Sequence, residues 1–293
     1  MVFLSQSSSV PSLSPQQYLD AMIGSRGYCV TTFATLEFAY HNKPTPLQIA
    51  SYGVYMIDLV NSGDADGLRS ALASGISKNP CNVYGESILH KICRLGDMKL
   101  LTVMLDAGCD VQIADDYGRT PLHDACWAAT PAFDVVETLM ERDIRLFHMS
   151  DCRGALPLSY VRKEHWALWL QFLESKKEVF WPRGGGDPLP PALTLHKPNT
   201  RPAPLPKSPL TLELARMVAN GRMTPEEAQF LNSDVQDEDD EDDDLSEGSD
   251  SSDDESDDVS ESSNADLSWN EDEMNQVLNS LTNPKRQPLA WSQ

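Results

Sequence analysis

Apolar positions recur through the middle of the chain in blocks of helical period. Leu89 and Ile92 form one block, Leu100, Leu101, Met104 and Leu105 the next, and Leu122 and Ala125 open a third. Spacings of three and four place each block on one face of a helix, and successive blocks predict pairs of antiparallel helices. Ser87 and Thr120 stand where an N-cap hydroxyl is needed, and Pro121 occupies the first helical position, where its missing N–H costs nothing. Gly108 follows the Leu100–Leu105 block as a left-handed C-cap. No such pair can bury its stripe alone, so neighbouring pairs must stack into one continuous core.

The blocks repeat. Asp115 to Trp127 reads DDYGRTPLHDACW, and Asn82 to Cys93 is a second copy, with Gly118 standing 33 residues after Gly85. One period upstream, Leu59 to Asp64 aligns with Ile92 to Asp97; downstream, Asp151 to Leu158 aligns at 36 residues, so the intervening unit carries about three extra. The core Thr120-Pro121-Leu122-His123-x-Ala125 and the 33-residue period resemble the ankyrin-repeat family over residues 53–178. That resemblance implies an all-α solenoid of about four helix-turn-helix units, which grips a protein partner on its concave face. It also implies that His90 and His123, recurring at the repeat period, hydrogen-bond neighbouring turns and have no catalytic role.

Outside the repeats, Ser14 and Gln17 are spaced as a capping box ahead of a helix through Tyr18, Leu19, Met22 and Ile23. Thr31 to Tyr40 has no clear period. Thr45-Pro46-Leu47-Gln48-Ile49-Ala50 mimics the repeat core out of register and predicts an extra helix over Pro46 to Tyr52 that closes the N-terminal end of the stack. Residues 1–14 are expected to be disordered and 15–52 to form a helical N-terminal extension. Trp166, Trp169 and Leu173 share one face of a helix that should cover the other end, while His165 reads as helix surface. Residues 179–209 form a Pro- and Gly-rich linker, with Trp181 to Pro209 expected to be extended and unpacked. Residues 210–232 read as a small helical hairpin exposing Leu212, Leu214, Met217 and Val218, too small to be stable without a partner.

Charge is concentrated in one place. The net charge is −22, yet residues 234–273 hold 21 acids and no base, leaving 24 acids against 23 bases elsewhere. Residues 233–293 are therefore expected to be a disordered acidic tail. Within it, Ser251, Ser252 and Ser263 have an acid three residues on and resemble casein-kinase-II-type phosphorylation sites. Met274, Val277, Leu278 and Leu281 form an apolar stripe suited to a short helix that folds on a partner.

The six cysteines have no metal-ligand spacing and read as reduced, buried thiols, which points to cytosol or nucleus. No phosphate loop, nucleophile motif or dinucleotide fingerprint occurs, so no catalytic residue, cofactor or metal is expected. No apolar run is long enough to span a membrane, the first residues do not resemble a secretory signal, and no basic surface suits nucleic acid. The ankyrin resemblance places partner-binding residues at the turn tips and on the exposed side of the first helix of each repeat: Tyr84, Glu86, Lys91 and Arg94 in one unit, Asp116, Tyr117, Arg119, Asp124 and Trp127 in the next. Trp127 could instead fold over the inserted Ala128 to Pro131 loop. The expected function is that of a non-enzymatic intracellular adaptor or scaffold. The alternative is a nuclear chromatin- or transcription-associated protein whose acidic tail binds basic partners.

Overall fold

The computed structural model describes residues 13–38, 40–41, 43–183, 206 and 208–239. In chain order it contains α1 (Pro15–Ser25), β1 (Phe33–Ala34), α2 (Pro46–Ala50), α3 (Val54–Ser62), α4 (Ala65–Ala73), α5 (Ile88–Leu95), α6 (Met98–Asp106), α7 (Pro121–Trp127), α8 (Phe133–Arg142), β2 (Met149–Ser150), α9 (Trp166–Phe180), α10 (Leu212–Ala219) and α11 (Pro225–Asp239). The expected tail features at Ser251, Ser252, Ser263, Met274, Val277, Leu278 and Leu281 lie outside the described residues.

Three helix pairs, α3/α4, α5/α6 and α7/α8, stack in register, first helix on first helix and second on second. Leu89, Ile92, Leu100, Leu101, Met104, Leu122, Val135, Val136 and Leu139 are almost completely buried between them. Each such side chain contributes about 1.5–3 kcal/mol of transfer free energy, which is what holds a solenoid together. The α3 and α5 helices end at Gly63 and Gly96, both left-handed, and Asp64 and Asp97 at once cap the next helix with their carboxylates.

The turns between units share one construction. Asn82, Asp115 and Asp151 each accept, through one side-chain oxygen, the backbone N–H groups two and four residues ahead. The glycine inside that loop adopts φ +76° at Gly118, a conformation that disfavours any Cβ. The turns also bond to each other: Asp116 N–H donates to Tyr84 O at 2.9 Å and Cys152 N–H to Tyr117 O at 2.8 Å.

The histidines join one unit to the next, as their recurrence implies. Nδ1 of His90 accepts from Ser87 N–H at 3.2 Å, and Nδ1 of His123 from Thr120 N–H at 3.0 Å, so each ring takes the part a glutamate plays in a capping box. With Nδ1 accepting, Nε2 carries the proton and donates to a carbonyl of the following unit, Arg119 O at 2.9 Å and Ala155 O at 3.3 Å.

The fourth unit is reduced. Leu156 cannot cap and Ser159 stands where the histidine would, and the first helix shrinks to a 3-10 turn over Pro157–Tyr160. The second helix, α9, is long instead. Trp169 and Leu173 are buried as its lid face, Trp169 edge-on to Phe133 at 5.3 Å, with Phe172 stacked on the same ring at 4.6 Å. His165 is not free surface: its Nε2 donates to Ala129 O at 2.9 Å and braces the inserted loop.

Each end of the stack is covered by a segment from the opposite end of the chain. The α1 helix, started by the expected Ser14–Gln17 capping box, packs against α9 and the 3-10 turn of the fourth unit, where Tyr18 bonds Glu174 and Arg26 pairs with Glu178. At the N-terminal end, α2 begins with a Thr45–Gln48 capping box as expected, and α10 packs on α2 and α3 while α11 packs on α4.

The segment from α1 to α2 runs back along the stack as a strap. Residues Thr31 to Tyr40, without period in sequence, become β1 and a 3-10 turn. Ala34 pairs in parallel with Ser150, His41 bridges Ala114, and Gln48 O accepts from Cys81 N–H at 3.2 Å. Ser150, Ala114 and Cys81 are equivalent positions, each just before the Asx residue of its turn. The strap therefore advances one repeat every seven residues, from 34 to 41 to 48. Thr35 Oγ1 donates to Ser150 O at 2.8 Å, and Tyr40 donates to Asp143, which also accepts from Arg145 at 2.7 Å and Gln112 at 2.6 Å.

Three expectations are corrected. The hairpin over residues 210–232 is not left without a partner: Leu214 and Val218 are buried against this chain's own α2 and α3, and Leu210 N–H donates to Gly75 O at 3.1 Å. Trp181 is not unpacked linker but fully buried beside Phe147, its carbonyl held by Arg26 at 2.7 Å. Of the cysteines, Cys81, Cys93 and Cys126 are buried and Cys109 is half-buried, but Cys29 and Cys152 are exposed because they fall on the strap and on a turn tip.

Candidate functional site

Most of the expected partner-binding residues form two linked clusters on repeats two and three. The first is built on α5 and α7. Arg94 Nε donates to Asp124 Oδ1 at 2.7 Å and its Nη2 to Glu86 Oε1 at 2.7 Å. The same guanidinium lies over the Trp127 ring, 5.4 Å from its centroid. Burial works against ionisation of both Arg94 and Glu86; Arg94 outweighs it at Glu86, whose carboxyl sits below the usual carboxylate range, while Asp124 first and Glu86 second outweigh it at Arg94, which stays charged.

The second cluster is at the turn tips. Arg119 Nε donates to Asp115 Oδ2 at 2.7 Å, and its guanidinium covers the Tyr117 ring at 5.3 Å. Tyr84 is joined to this tip through its carbonyl, which Asp116 N–H reaches at 2.9 Å. Tyr84, Tyr117 and Trp127 are 63%, 56% and 43% exposed. The surface is thus two aromatic–arginine pairs, each arginine fixed by an acid beneath it, with a third aromatic ring alongside.

Not every expected residue faces outward. Asp124 is 2% exposed and positions Arg94; it is not itself a contact surface, and its Oδ2 meets no donor among the described residues. Its place on the outer side of α7 is covered by the Arg94 side chain of the preceding unit. Lys91 is half-buried on α5 and belongs to neither cluster. Asp115 was absent from the expected set although it anchors Arg119; its four-residue spacing from that arginine is the signal in the sequence. Val83 and Leu95 add exposed apolar surface on repeat two, at 52% and 54%, and no repeat-core pattern marks them.

Among the described residues no group of three or more His, Cys, Asp or Glu side chains is placed to hold a metal ion, and no helix is long and apolar enough to cross a membrane.

Comparison with known proteins agrees with this architecture. A family model for ankyrin repeats matches residues 56–149 in three copies, the three helix pairs described above together with the turns that follow them. Residues 56–149 are thus ankyrin repeats, a module for binding other proteins. It is similar to the ADP-ribosylation factor GTPase-activating protein AGD4 of Arabidopsis thaliana, 51% identical over 41 residues, 14% of this chain and 5% of that protein. The related AGD2 of the same plant is 39% identical over 63 residues, 22% of this chain and 8% of the relative. Serine/threonine-protein kinase 12, also from Arabidopsis thaliana, is 30% identical over 87 residues, 30% of this chain and 18% of the kinase. The chain spans less than a fifth of the length of each of these curated relatives.

Proposed function

We propose that the chain is an adaptor or scaffold that holds one protein partner on the aromatic–arginine surface of repeats two and three. The observation that carries this reading is the exposure of Tyr84, Tyr117 and Trp127 beside arginines already fixed by buried or half-buried acids. Aromatic and arginine side chains dominate the energetics of protein interfaces, and fixing them before contact reduces the ordering cost of binding. Six free thiols, three of them buried, fit a reducing compartment, cytosol or nucleus. The test compares proteins retained by the full chain with those retained by the Tyr117→Ala, Trp127→Ala variant, after thermal melts have shown that the variant is folded. A protein held by the wild type and lost by the variant supports the reading; an unchanged set of retained proteins removes this surface from consideration.

A further inference from the structure

Residues 208–210 cross the end of α4 on their way into α10. Leu210 N–H donates to Gly75 O at 3.1 Å, and Ser208 O passes so near Gly75 that a Cβ there would lie 2.4 Å from it. Ser208 is exposed, its hydroxyl has no hydrogen-bond partner among the described residues, and Pro209 follows it. Other Ser/Thr-Pro pairs are differently employed: Ser14, Thr45, Thr120 and Thr224 each begin a helix, and their hydroxyls bond within its first turn. Ser208 also lines a cavity of about 710 Å³ between α4, α6 and α11, whose wall holds two cations, Arg69 and Lys78, and one acid, Asp106. Arg69 already meets Asp66 at 2.5 Å, whereas the half-buried Lys78 has no acid partner among the described residues.

We infer that Ser208 is a phosphorylation site for a proline-directed protein kinase, and that its phosphate is received by Lys78 and Arg69, fastening the capping hairpin to the stack. In the transfer, Ser208 Oγ bonds the γ-phosphorus of ATP as the bond to the departing ADP oxygen breaks, and the serine proton leaves through the kinase's base. The proline disfavours helical backbone at Ser208 and removes an N–H that an apolar kinase pocket would leave unpaired. Pro206 and Leu210 are buried, so a kinase grips this stretch when it lifts from the stack, and the phosphate acts on its return. The product carries about −1.5 to −2 charge at neutral pH. A neutral serine leaves Lys78 unmatched; a phosphate supplies the anion, and its hydrogen bonds to lysine and arginine are charge-assisted.

The experiment treats the full chain with ATP and a purified proline-directed kinase, maps phosphate by mass spectrometry of peptides, and follows amide exchange over residues 210–219. Phosphate is expected on Ser208, and Ser208→Ala, treated in the same way, controls for phosphate on other residues. Phosphate at Ser208 should slow exchange over residues 210–219 by about fivefold or more at low salt, and by less at roughly 1 M salt. Lys78→Ala should exchange like the wild type before treatment and accept the phosphate as readily, yet show little of the slowing. Three results would each overturn the inference. One is no phosphate on Ser208 in either the wild type or Gly53→Ala, where the new Cβ presses on Ala219 and loosens the hairpin. The others are unchanged or faster exchange in the phosphorylated wild type, and equal slowing in Lys78→Ala.

Discussion

Arg94 and Trp127 occupy the same position in successive repeats, four residues past His90 and His123, and the guanidinium of one lies over the ring of the other at 5.4 Å. Equivalent positions in a stack of identical units would place like beside like. Here an arginine follows one histidine and a tryptophan the next, and the pair becomes an attraction, with Glu86 and Asp124 supplying the charge that fixes the arginine.

Removing Arg94 should therefore lower stability. Arg94→Ala leaves the Asp124 carboxylate buried without its cation, at a cost of about 2–4 kcal/mol. Arg94→Lys should recover only part of this, because one ammonium cannot fork between Glu86 and Asp124 as the guanidinium does. Urea unfolding of the three proteins tests the order wild type, lysine, alanine; an alanine variant as stable as the wild type would show that Asp124 does not depend on this cation.

Acid should weaken the interface between repeats three and four. Burial lowers the His123 pKa to about 4, against 6.5 for the free side chain. Between those values the unfolded chain takes up a proton that the folded ring refuses. Stability contributed by the neutral ring is therefore complete above about pH 6.5 and lost as pH falls towards 4, by about 3 kcal/mol in total. His123→Gln, measured by denaturation across this range, should lose that part of the slope.

The strap should not tolerate a change of length. One glycine inserted after Glu37 shifts Tyr40 and His41 away from Asp143 and Ala114 while β1 stays on β2. The β1 pairing and the Tyr40 and His41 contacts cannot then all be kept in register, and a loss of about 1–2 kcal/mol is expected, several degrees in melting temperature. The same insertion after Gly27, ahead of the paired region, should cost much less.

Gly53 offers a test of the crossed closure. A Cβ built there would lie 2.6 Å from the carbonyl carbon of Ala219, too close for any side chain. Gly53→Ala should push α10 off α2 and α3, so amide exchange over residues 212–219 should accelerate while exchange in α5 and α7 stays slow. Unchanged protection of α10 would show that the hairpin can shift to make room.

The repeats were legible because their signals are local. Thr120, Pro121 and His123 lie within four residues and act on one helix end, and the 33-residue recurrence multiplies that evidence. The capping boxes at Ser14 and Thr45 were legible for the same reason. What sequence could not supply was the destination of those flanking helices. Nothing within α1 says that Tyr18 meets Glu174, and nothing in Leu214 or Val218 separates a face buried by this chain from one offered to another. The clusters were half legible. Tyr84, Tyr117 and Trp127 are exposed as the family resemblance implies, but a partner for Asp124 thirty residues away has no local trace, so a buried positioning acid read as a contact residue.

The strap ties the number of repeats to the length of a distant segment. An ordinary solenoid grows or shrinks when one unit of about 33 residues is duplicated or deleted, since each unit contacts only its neighbours. In this chain a new unit would also need seven more residues between α1 and α2, or one repeat would go unbridged and α1 could not reach α9. Two changes at separate places would have to arise together. The array is in that sense counted by its own N-terminal segment, and its size is harder to alter by gain or loss of a repeat than the modular appearance of its sequence suggests.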